Sequence, residues 1–189
     1  LAEATTKTLD SLHQSLKWMR LDESHVVQIK LFMKPMSDSS VVYQQVKEFY
    51  KKLGVKTLPA ISLVEWTNGL PIEIEMVAVY PEEQEFLSKA SAQFLTVPGM
   101  TASPVFCRVA VTHSKKLIYL SGFYSKDELA GKGEQELRNL YSRLDQVLKK
   151  VSSNMNYMIK ATYYVSDAET SRAFTPVRME LYNHKRPPA

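Results

Sequence analysis

The chain of 189 residues has little cysteine and no long apolar run, and each shortage excludes a class of protein. Its single cysteine, Cys107, excludes an intrachain disulfide and a CxxC metal knuckle, and it is typical of a reducing compartment. No apolar run reaches the roughly 18 residues that a membrane span needs. A Gly-rich phosphate loop is also missing. We therefore expect a cytoplasmic protein that uses no cofactor and does not enter a membrane.

Charge of one sign is nowhere concentrated. The 24 basic residues exceed the 20 acidic ones to give a net charge of +4, but they stand singly or in short pairs. Such pairs are typical of a solvated surface and not of a basic tail that binds nucleic acid. The four histidines form no HxH or HExxH pair, so no metal site is expected. They are His13, His25, His113 and His184.

The first eighty residues alternate helical and strand patterns. Apolar residues recur at helical spacing in the first twenty residues and again over 42–50. Branched and aromatic residues predict strands over 26–33, 58–66 and 70–80. The turn signal Thr67-Asn68-Gly69 between the last two strands predicts a hairpin or a tight connection.

The second half repeats this order. Helical spacing over 140–151 and 174–182 flanks a predicted strand over 157–165, and two further strands are predicted over 106–112 and 117–120. The two halves align about 132 positions apart, which places Leu12 on Leu144 and Val27 on Ile159, among other pairs. We therefore expect two tandem incomplete copies of one unit, an interpretation that rests on pattern.

The predicted domain boundaries follow from this repeat. Residues 1–80 form a first copy without an opening hairpin, and residues 104–189 form a second copy without its last strands. Residues 81–103 lie between them and are interpreted as a linker with a short helix. Mixed helix and strand patterns of this kind predict an α+β fold in which amphipathic helices cover a sheet. The missing initiator methionine is consistent with a piece of a longer protein, and the N-terminus shows no signal-peptide pattern.

One predicted strand carries two carboxylates beside an apolar stripe. In LPIEIEMVAVY, over 70–80, Ile72 and Ile74 point to one face, while Glu73 and Glu75 point to the other. Either that second face is solvated at one end, or a carboxylate lines a site.

Several segments together resemble the reactive intermediate deaminase family, also called Rid or YjgF-like. The second half carries IYLSG over 118–122, QELRNLYSRLDQVLKK over 135–150, MIKATYYVSD over 158–167 and AFTPVRMELYNHKRPPA over 173–189. The first half carries HVVQIKLF over 25–32 and IEIEMVA over 72–78. The resemblance implies a chorismate-mutase-like fold: a mixed sheet with two helices packed on one face.

The resemblance also implies an activity and an assembly. Members of the family hydrolyse reactive enamine or imine metabolites to a keto acid and ammonia. They form trimers with sites in clefts between neighbouring units. By resemblance the expected partners are a small-molecule metabolite and further copies of the chain, in a trimer-like homo-oligomer.

The resemblance assigns candidate site residues one by one. Glu75 matches the family glutamate that would transfer protons or position water, and it would face a cleft. Ser121 and Gly122 match an S-G pair that contacts the ligand. Phe106 and Cys107 stand where the family has a Tyr-Ser pair. Each also has a plain structural interpretation, such as a strand-end carboxylate, a turn or a buried thiol.

The cation that holds the substrate carboxylate is where the chain departs from the family. The family has an arginine directly after Pro-Ala at the start of a strand, whereas this chain has Ile61 after Pro59-Ala60 and ends at Ala189 in the second half. Arg178 stands where many relatives have an asparagine facing the cleft, and it is a candidate substitute cation or a solvated helix residue.

Three functions therefore remain open. The first is a Rid-like deaminase. The second is a non-catalytic protein of the same fold that binds small metabolites or acts structurally in an oligomer, which Ile61 favours. The third is an endoribonuclease or translation inhibitor, because some relatives carry these descriptions. The sequence shows no aromatic and basic stacking motif of the RNA-binding type.

Overall fold

The computed structural model describes residues 1–66, 69–81, 90–114, 116–120, 122–125, 127–165 and 168–189. The chain divides into two compact units, Leu1–Ser88 and Lys89–Ala189. We call them unit 1 and unit 2.

Unit 1 contains two amphipathic helices, α1 (Ala2–Trp18) and α2 (Ser39–Lys52). Leu9 and Leu16 are buried on one face of α1, and α2 buries Val42 and Val46 at helical spacing. Helix α2 ends just before Gly54, whose positive φ of 75° is readily adopted by glycine. The two helices predicted for this half are confirmed.

The sheet of unit 1 has three strands: β1 (Val26–Met33), β2 (Ala60–Glu65) and β3 (Ile72–Ala78). Their order is β2-β1-β3, with β1 parallel to β2 and antiparallel to β3. The predicted hairpin of β2 and β3 is therefore wrong, because β1 lies between them and takes the hydrogen bonds of both. Thr67 and Asn68, which carried most of the turn signal, lie outside the described residues.

One face of this sheet is covered by the helices. Helix α1 packs against both α2 and β3. Ile29 and Leu31 of β1 have no exposed surface, and their partners in the β3 register are Met76 and Ile74. The predicted α+β arrangement with a mixed sheet is confirmed for unit 1.

A buried hydrogen bond between His13 and Glu23 joins α1 to the turn before β1. His13 Nδ1 lies 2.7 Å from Glu23 Oε1, and the Glu23 side chain is 2% exposed. The edge of the His13 ring packs against Phe49 of α2. A buried polar side chain is tolerated when it is hydrogen-bonded in this way.

Unit 2 has a two-stranded antiparallel sheet and two helices. The strands are β4 (Ala92–Leu95) and β5 (Val109–Thr112), and the helices are α3 (Glu134–Lys150) and α4 (Ala168–Leu181). The helices pack together around a core that includes Leu137, Phe174 and Val177, among other residues. The two predicted helices are confirmed.

Several strand predictions in unit 2 are wrong. The predicted linker contains β4, and the strand predicted over 106–112 begins only at Val109. The short helix expected in the linker falls largely on residues 82–89, which lie outside the described residues. In the described part of the unit, residues 117–120 and 157–165 form no strand. Their composition favours strands, but a strand also needs a neighbour with which to form hydrogen bonds.

The C-terminal peptide partly supplies that neighbour. Ala189 N donates to Ile159 O at 2.9 Å, and Ala161 N donates to Ala189 O at 3.0 Å. On the other side, Cys107 N donates to Pro188 O at 3.2 Å. The chain end is thus held between two extended segments of unit 2.

No helix in the described part of the chain is long and apolar enough to cross a membrane.

Candidate functional site

Glu75 lies on β3, on the sheet face that points away from the helices. It is half-buried, and its Oε2 atom is shielded from solvent. Glu73 lies on the same face but is exposed, so the two glutamates differ in their exposure to solvent. The predicted alternation of β3 is confirmed, and it brings a partly shielded carboxylate to the open side of the sheet.

Strand β1 gives Glu75 a basic neighbour. Lys30 is its partner in the register between β1 and β3, and Phe32 is the partner of Glu73. Cross-strand neighbours on one face have side chains within interaction distance. Lys30 and Glu75 therefore lie on the same face of the sheet, on neighbouring strands.

Ile61 occupies the position at which the resemblance would place an arginine. It is the register partner of Ile29, which is fully buried against the helices. Adjacent residues of parallel strands share a face, so Ile61 lies on the helix-facing side of the sheet. Its apolar side chain fits that side and cannot bind a carboxylate.

The S-G pair is only partly described. Ser121 lies outside the described residues. Gly122 is exposed, and a side chain added there would come within 3.4 Å of the Tyr124 hydroxyl oxygen. The roles proposed for both residues stay predictions.

Phe106 and Cys107 lie immediately before β5. The Arg108 guanidinium stands 4.9 Å from the centre of the Phe106 ring. Cys107 is buried, and burial raises the pKa of its thiol to about 11. A thiol of this kind is neutral near pH 7, which suits the interpretation of Cys107 as an inert core residue.

Arg178 packs within the aromatic core of unit 2. Its guanidinium lies 5.6 Å from the centre of the Tyr163 ring and 6.0 Å from that of Phe174. Its Nε atom is buried and has no hydrogen-bond partner in the described part of the chain. Arg178 is therefore not the freely solvated helix residue of the plain interpretation, since its cation is held on two ring faces.

Three tyrosine hydroxyls meet beside Arg178, a cluster that sequence reasoning missed. Tyr141 and Tyr182 are hydrogen-bonded at 3.1 Å, and Tyr163 is hydrogen-bonded to Tyr182. Burial raises the pKa of both Tyr141 and Tyr182, so these phenols remain protonated. Helical spacing predicts that Tyr182 is buried, but nothing in the sequence brings the three hydroxyls together.

Each unit also contains a groove that the sequence analysis did not find. The groove of unit 1 measures about 710 Å³ and is lined by Lys34, Pro35, Glu65 and Trp66. Glu75 is not among these lining residues, so its place in a cleft stays a prediction. The groove of unit 2 measures about 360 Å³ and is lined by Arg138, Tyr141, Ser142, Asp145, Met155 and Leu181. The residues that the structure describes contain no cluster of three or more histidine, cysteine or acidic side chains arranged to hold a metal ion.

Comparison with known families gives a partial assignment. Residues 101–189 match the family model named Endoribonuclease L-PSP. These residues form a YjgF-like L-PSP domain. The match lies entirely within unit 2, and it confirms the resemblance for this part of the chain. No curated protein matches the chain significantly.

Several solved structures resemble part of the chain. A protein provisionally assigned as a translation initiation inhibitor from Vibrio vulnificus CMCP6 is 26% identical, with a TM-score of 0.40, over 42% of this chain and 65% of its own. The YjgF gene product of E. coli is 26% identical, with a TM-score of 0.38. E. coli TdcF, solved with bound serine, is 19% identical, with a TM-score of 0.38. The last two matches each cover 41% of this chain and 62% of the other.

The match is thus incomplete in both directions. The chain spans less than two thirds of the length of these solved structures, and less than half of the chain is covered. The L-PSP domain is assigned to residues 101–189, and the activity of the chain is a separate question.

Proposed function

We propose that the chain is a Rid-like deaminase that hydrolyses reactive enamine or imine metabolites to a keto acid and ammonia. The observation that carries the proposal is the half-buried Glu75 carboxylate, with Oε2 shielded from solvent, on the open face of the unit 1 sheet. The L-PSP domain at residues 101–189 adds support, because it belongs to a family in which this chemistry is expected.

The reaction needs a group that can both donate and accept a proton. An enamine is hydrolysed by protonation at carbon, attack of water on the resulting iminium carbon, and loss of ammonia. We assign Glu75 to proton transfer: its carboxyl group donates the first proton, and its carboxylate accepts a proton from the attacking water.

In unit 2 we propose Arg178 as a carboxylate-binding cation. A guanidinium can hold a carboxylate with two parallel hydrogen bonds. Stacking on Tyr163 and Phe174 fixes its orientation and reduces the entropy lost on binding. Ser121, Gly122 and Phe106 remain proposed ligand contacts on the strength of the resemblance.

We also propose that the two units are incomplete copies of one fold. In unit 1, Gln28 pairs in parallel with Ala60. In unit 2, Ala189 forms hydrogen bonds with the residues on either side of Lys160, as a parallel partner does. Lys160 lies 132 positions after Gln28, and Ala189 lies 129 positions after Ala60, so the second copy has a loop that is shorter by three residues. This correspondence supports a duplication. A homo-oligomer in the cytoplasm remains part of the proposal, and light scattering on the purified chain tests the assembly.

The test is keto-acid release from an enamine that a threonine dehydratase generates in the same vessel. We expect the chain to accelerate release and Glu75→Gln to remove most of the acceleration, since the amide cannot transfer the proton. Loss of a general acid or base typically lowers the rate by about 10² to 10⁴-fold. The matched control is Glu73→Gln on the same strand face. Equal activity in all three proteins contradicts the role of Glu75.

Ile61 favours a second candidate, a non-catalytic binder of small carboxylate metabolites. An isoleucine on the helix-facing side of the sheet cannot hold a substrate carboxylate. In that case the chain leaves the rate of keto-acid release unchanged but still binds the keto acid. The rate of keto-acid release distinguishes this candidate from the deaminase, and calorimetry with the keto acid, comparing wild type with Arg178→Met, tests the binding.

A further inference from the structure

The groove of unit 1 lies where two parallel strands end. Lys34 and Pro35 follow directly after β1, while Glu65 and Trp66 stand at the end of β2. Because β1 and β2 are parallel neighbours, their carboxyl ends meet at one edge of the sheet. Such an edge commonly carries ligand sites in sheets with parallel strands. The groove of about 710 Å³ is open to solvent, so a ligand bound there stays partly exposed.

Opposite charges flank this groove without neutralising each other. In the described part of the chain, neither the Lys34 ammonium nor the Glu65 carboxylate forms an ion pair. One carboxylate oxygen, Glu65 Oε1, accepts a hydrogen bond from Met36 N at 3.2 Å, which fixes the side chain. A ligand that carries both charges can therefore bind between a cation and a positioned carboxylate.

The remaining wall of the groove is apolar and held in place. The Trp66 ring packs against Phe32, with their ring centres 6.0 Å apart. The backbone of Trp66 is anchored by a hydrogen bond from its N atom to Met33 O at 3.1 Å. The Pro35 ring adds a second rigid apolar surface. This wall suits a hydrocarbon or aromatic group better than a second charged one.

We propose that this groove binds an α-amino acid with an apolar side chain. The Lys34 ammonium holds the ligand carboxylate, the Glu65 carboxylate holds its α-ammonium, and the ligand side chain packs on Trp66 and Pro35. The site is separate from the deaminase proposal, because it uses neither Glu75 nor Arg178. Both charged groups of the protein are exposed, so the affinity is modest.

The test is a titration of the full chain with L-phenylalanine. Trp18→Phe leaves Trp66 as the one tryptophan, so its fluorescence reports on the groove directly. Calorimetry on the same protein gives an independent affinity. Two half-ligands complete the set: 3-phenylpropanoate lacks the ammonium, and 2-phenylethylamine lacks the carboxylate. We expect L-phenylalanine to bind about tenfold or more tightly than either half-ligand, since each lacks one charge-assisted contact.

Variants identify the charged groups. Lys34→Met and Glu65→Gln each weaken binding about tenfold or more, while Lys34→Arg retains it. The amide introduced by Glu65→Gln keeps an oxygen that can accept from Met36 N, so the loop is preserved. The matched controls, Lys56→Met and Glu73→Gln, leave binding unchanged. Three results overturn the proposal: no binding in either measurement, equal binding of L-phenylalanine and 3-phenylpropanoate, or unchanged affinity in both Lys34→Met and Glu65→Gln.

Discussion

Cys107 shows how burial alone decides the chemistry of a single residue. Its thiol has a pKa raised to about 11, chiefly because burial disfavours the charged thiolate. The thiolate is the reactive form of cysteine. We therefore expect the native chain to resist a disulfide reagent near pH 8 and to react fully in denaturant. Rapid stoichiometric labelling of the native chain contradicts this account of its burial.

The same shift predicts how stability depends on pH. The unfolded thiol loses its proton near its ordinary pKa of 9.0, whereas the folded thiol keeps it up to about 11. The unfolded state thus binds fewer protons between these values, and the free energy of unfolding falls as the pH rises through this window. Urea unfolding at several pH values measures the slope, which should be smaller in Cys107→Ala. The tyrosines titrate in both proteins, so their contribution to the slope cancels when the two slopes are compared.

The sheet face on which a residue lies could be predicted from the sequence where it depends on one strand alone. Strand alternation placed Glu75 opposite the apolar stripe of β3, and the structure agrees. Lys34, Glu65 and Trp66 were missed because their proximity depends on the parallel pairing of β1 with β2, which are separated by a helix in sequence. Single-strand patterns carry no information about such partners.

At the scale of elements, substitutions on β3 test which of its two faces is covered by the helices. Ile74 is 6% exposed on the helix-covered face, whereas Val77 is 42% exposed on the other. Ile74→Ala should lower the free energy of unfolding by about 2–5 kcal/mol, because it leaves a cavity in the core. Val77→Ala should change it by less than about 0.5 kcal/mol. Both tryptophans belong to unit 1, so tryptophan fluorescence in urea measures this unit. Equal effects of the two changes contradict the assigned faces.

Arg186 adds side-chain contacts to the backbone hydrogen bonds that hold the C-terminal peptide of unit 2. The Arg186 guanidinium lies 5.4 Å from the centre of the Phe94 ring and 5.5 Å from that of Tyr157. Each partly shielded contact of this kind contributes about 0.5–1 kcal/mol. Arg186→Ala should therefore destabilise unit 2 by about 1–2 kcal/mol, whereas the exposed neighbour Lys185→Ala should have little effect. Exposure of Cys107 to a thiol reagent in urea reports on this unit, and indistinguishable curves contradict the clamp.

The helices could be predicted from the sequence, whereas the strands, which need hydrogen-bonding partners, were harder to predict. The four helices follow from apolar periodicity, which local sequence determines. The hairpin of β2 and β3 failed because the turn signal is local, whereas β1 comes from before α2 in the chain. The segments over 117–120 and 157–165 have strand composition, but in the described part of unit 2 they lack the continuous hydrogen-bonding partner that defines a strand.

At the scale of the whole molecule, the family match covers the second of the two predicted copies but not the first. Residues 101–189 carry the L-PSP domain, and the paired positions Gln28–Ala60 and Lys160–Ala189 support our proposal that unit 1 is a diverged copy. In this proposal, the loss of the anchoring arginine at Ile61 belongs to one copy. We therefore expect Ile61→Arg to destabilise unit 1 without raising keto-acid release, because this position lies against the buried Ile29. Tryptophan fluorescence in urea and the keto-acid assay measure the two effects.

The most direct test of the central claim is the rate of keto-acid release from an enamine as the concentration of the wild-type chain is raised. The account predicts a rate that increases in proportion to the chain and returns to the uncatalysed value when the chain is heat-denatured. A rate that is independent of the native chain contradicts deaminase activity and leaves the non-catalytic binder as the remaining proposal.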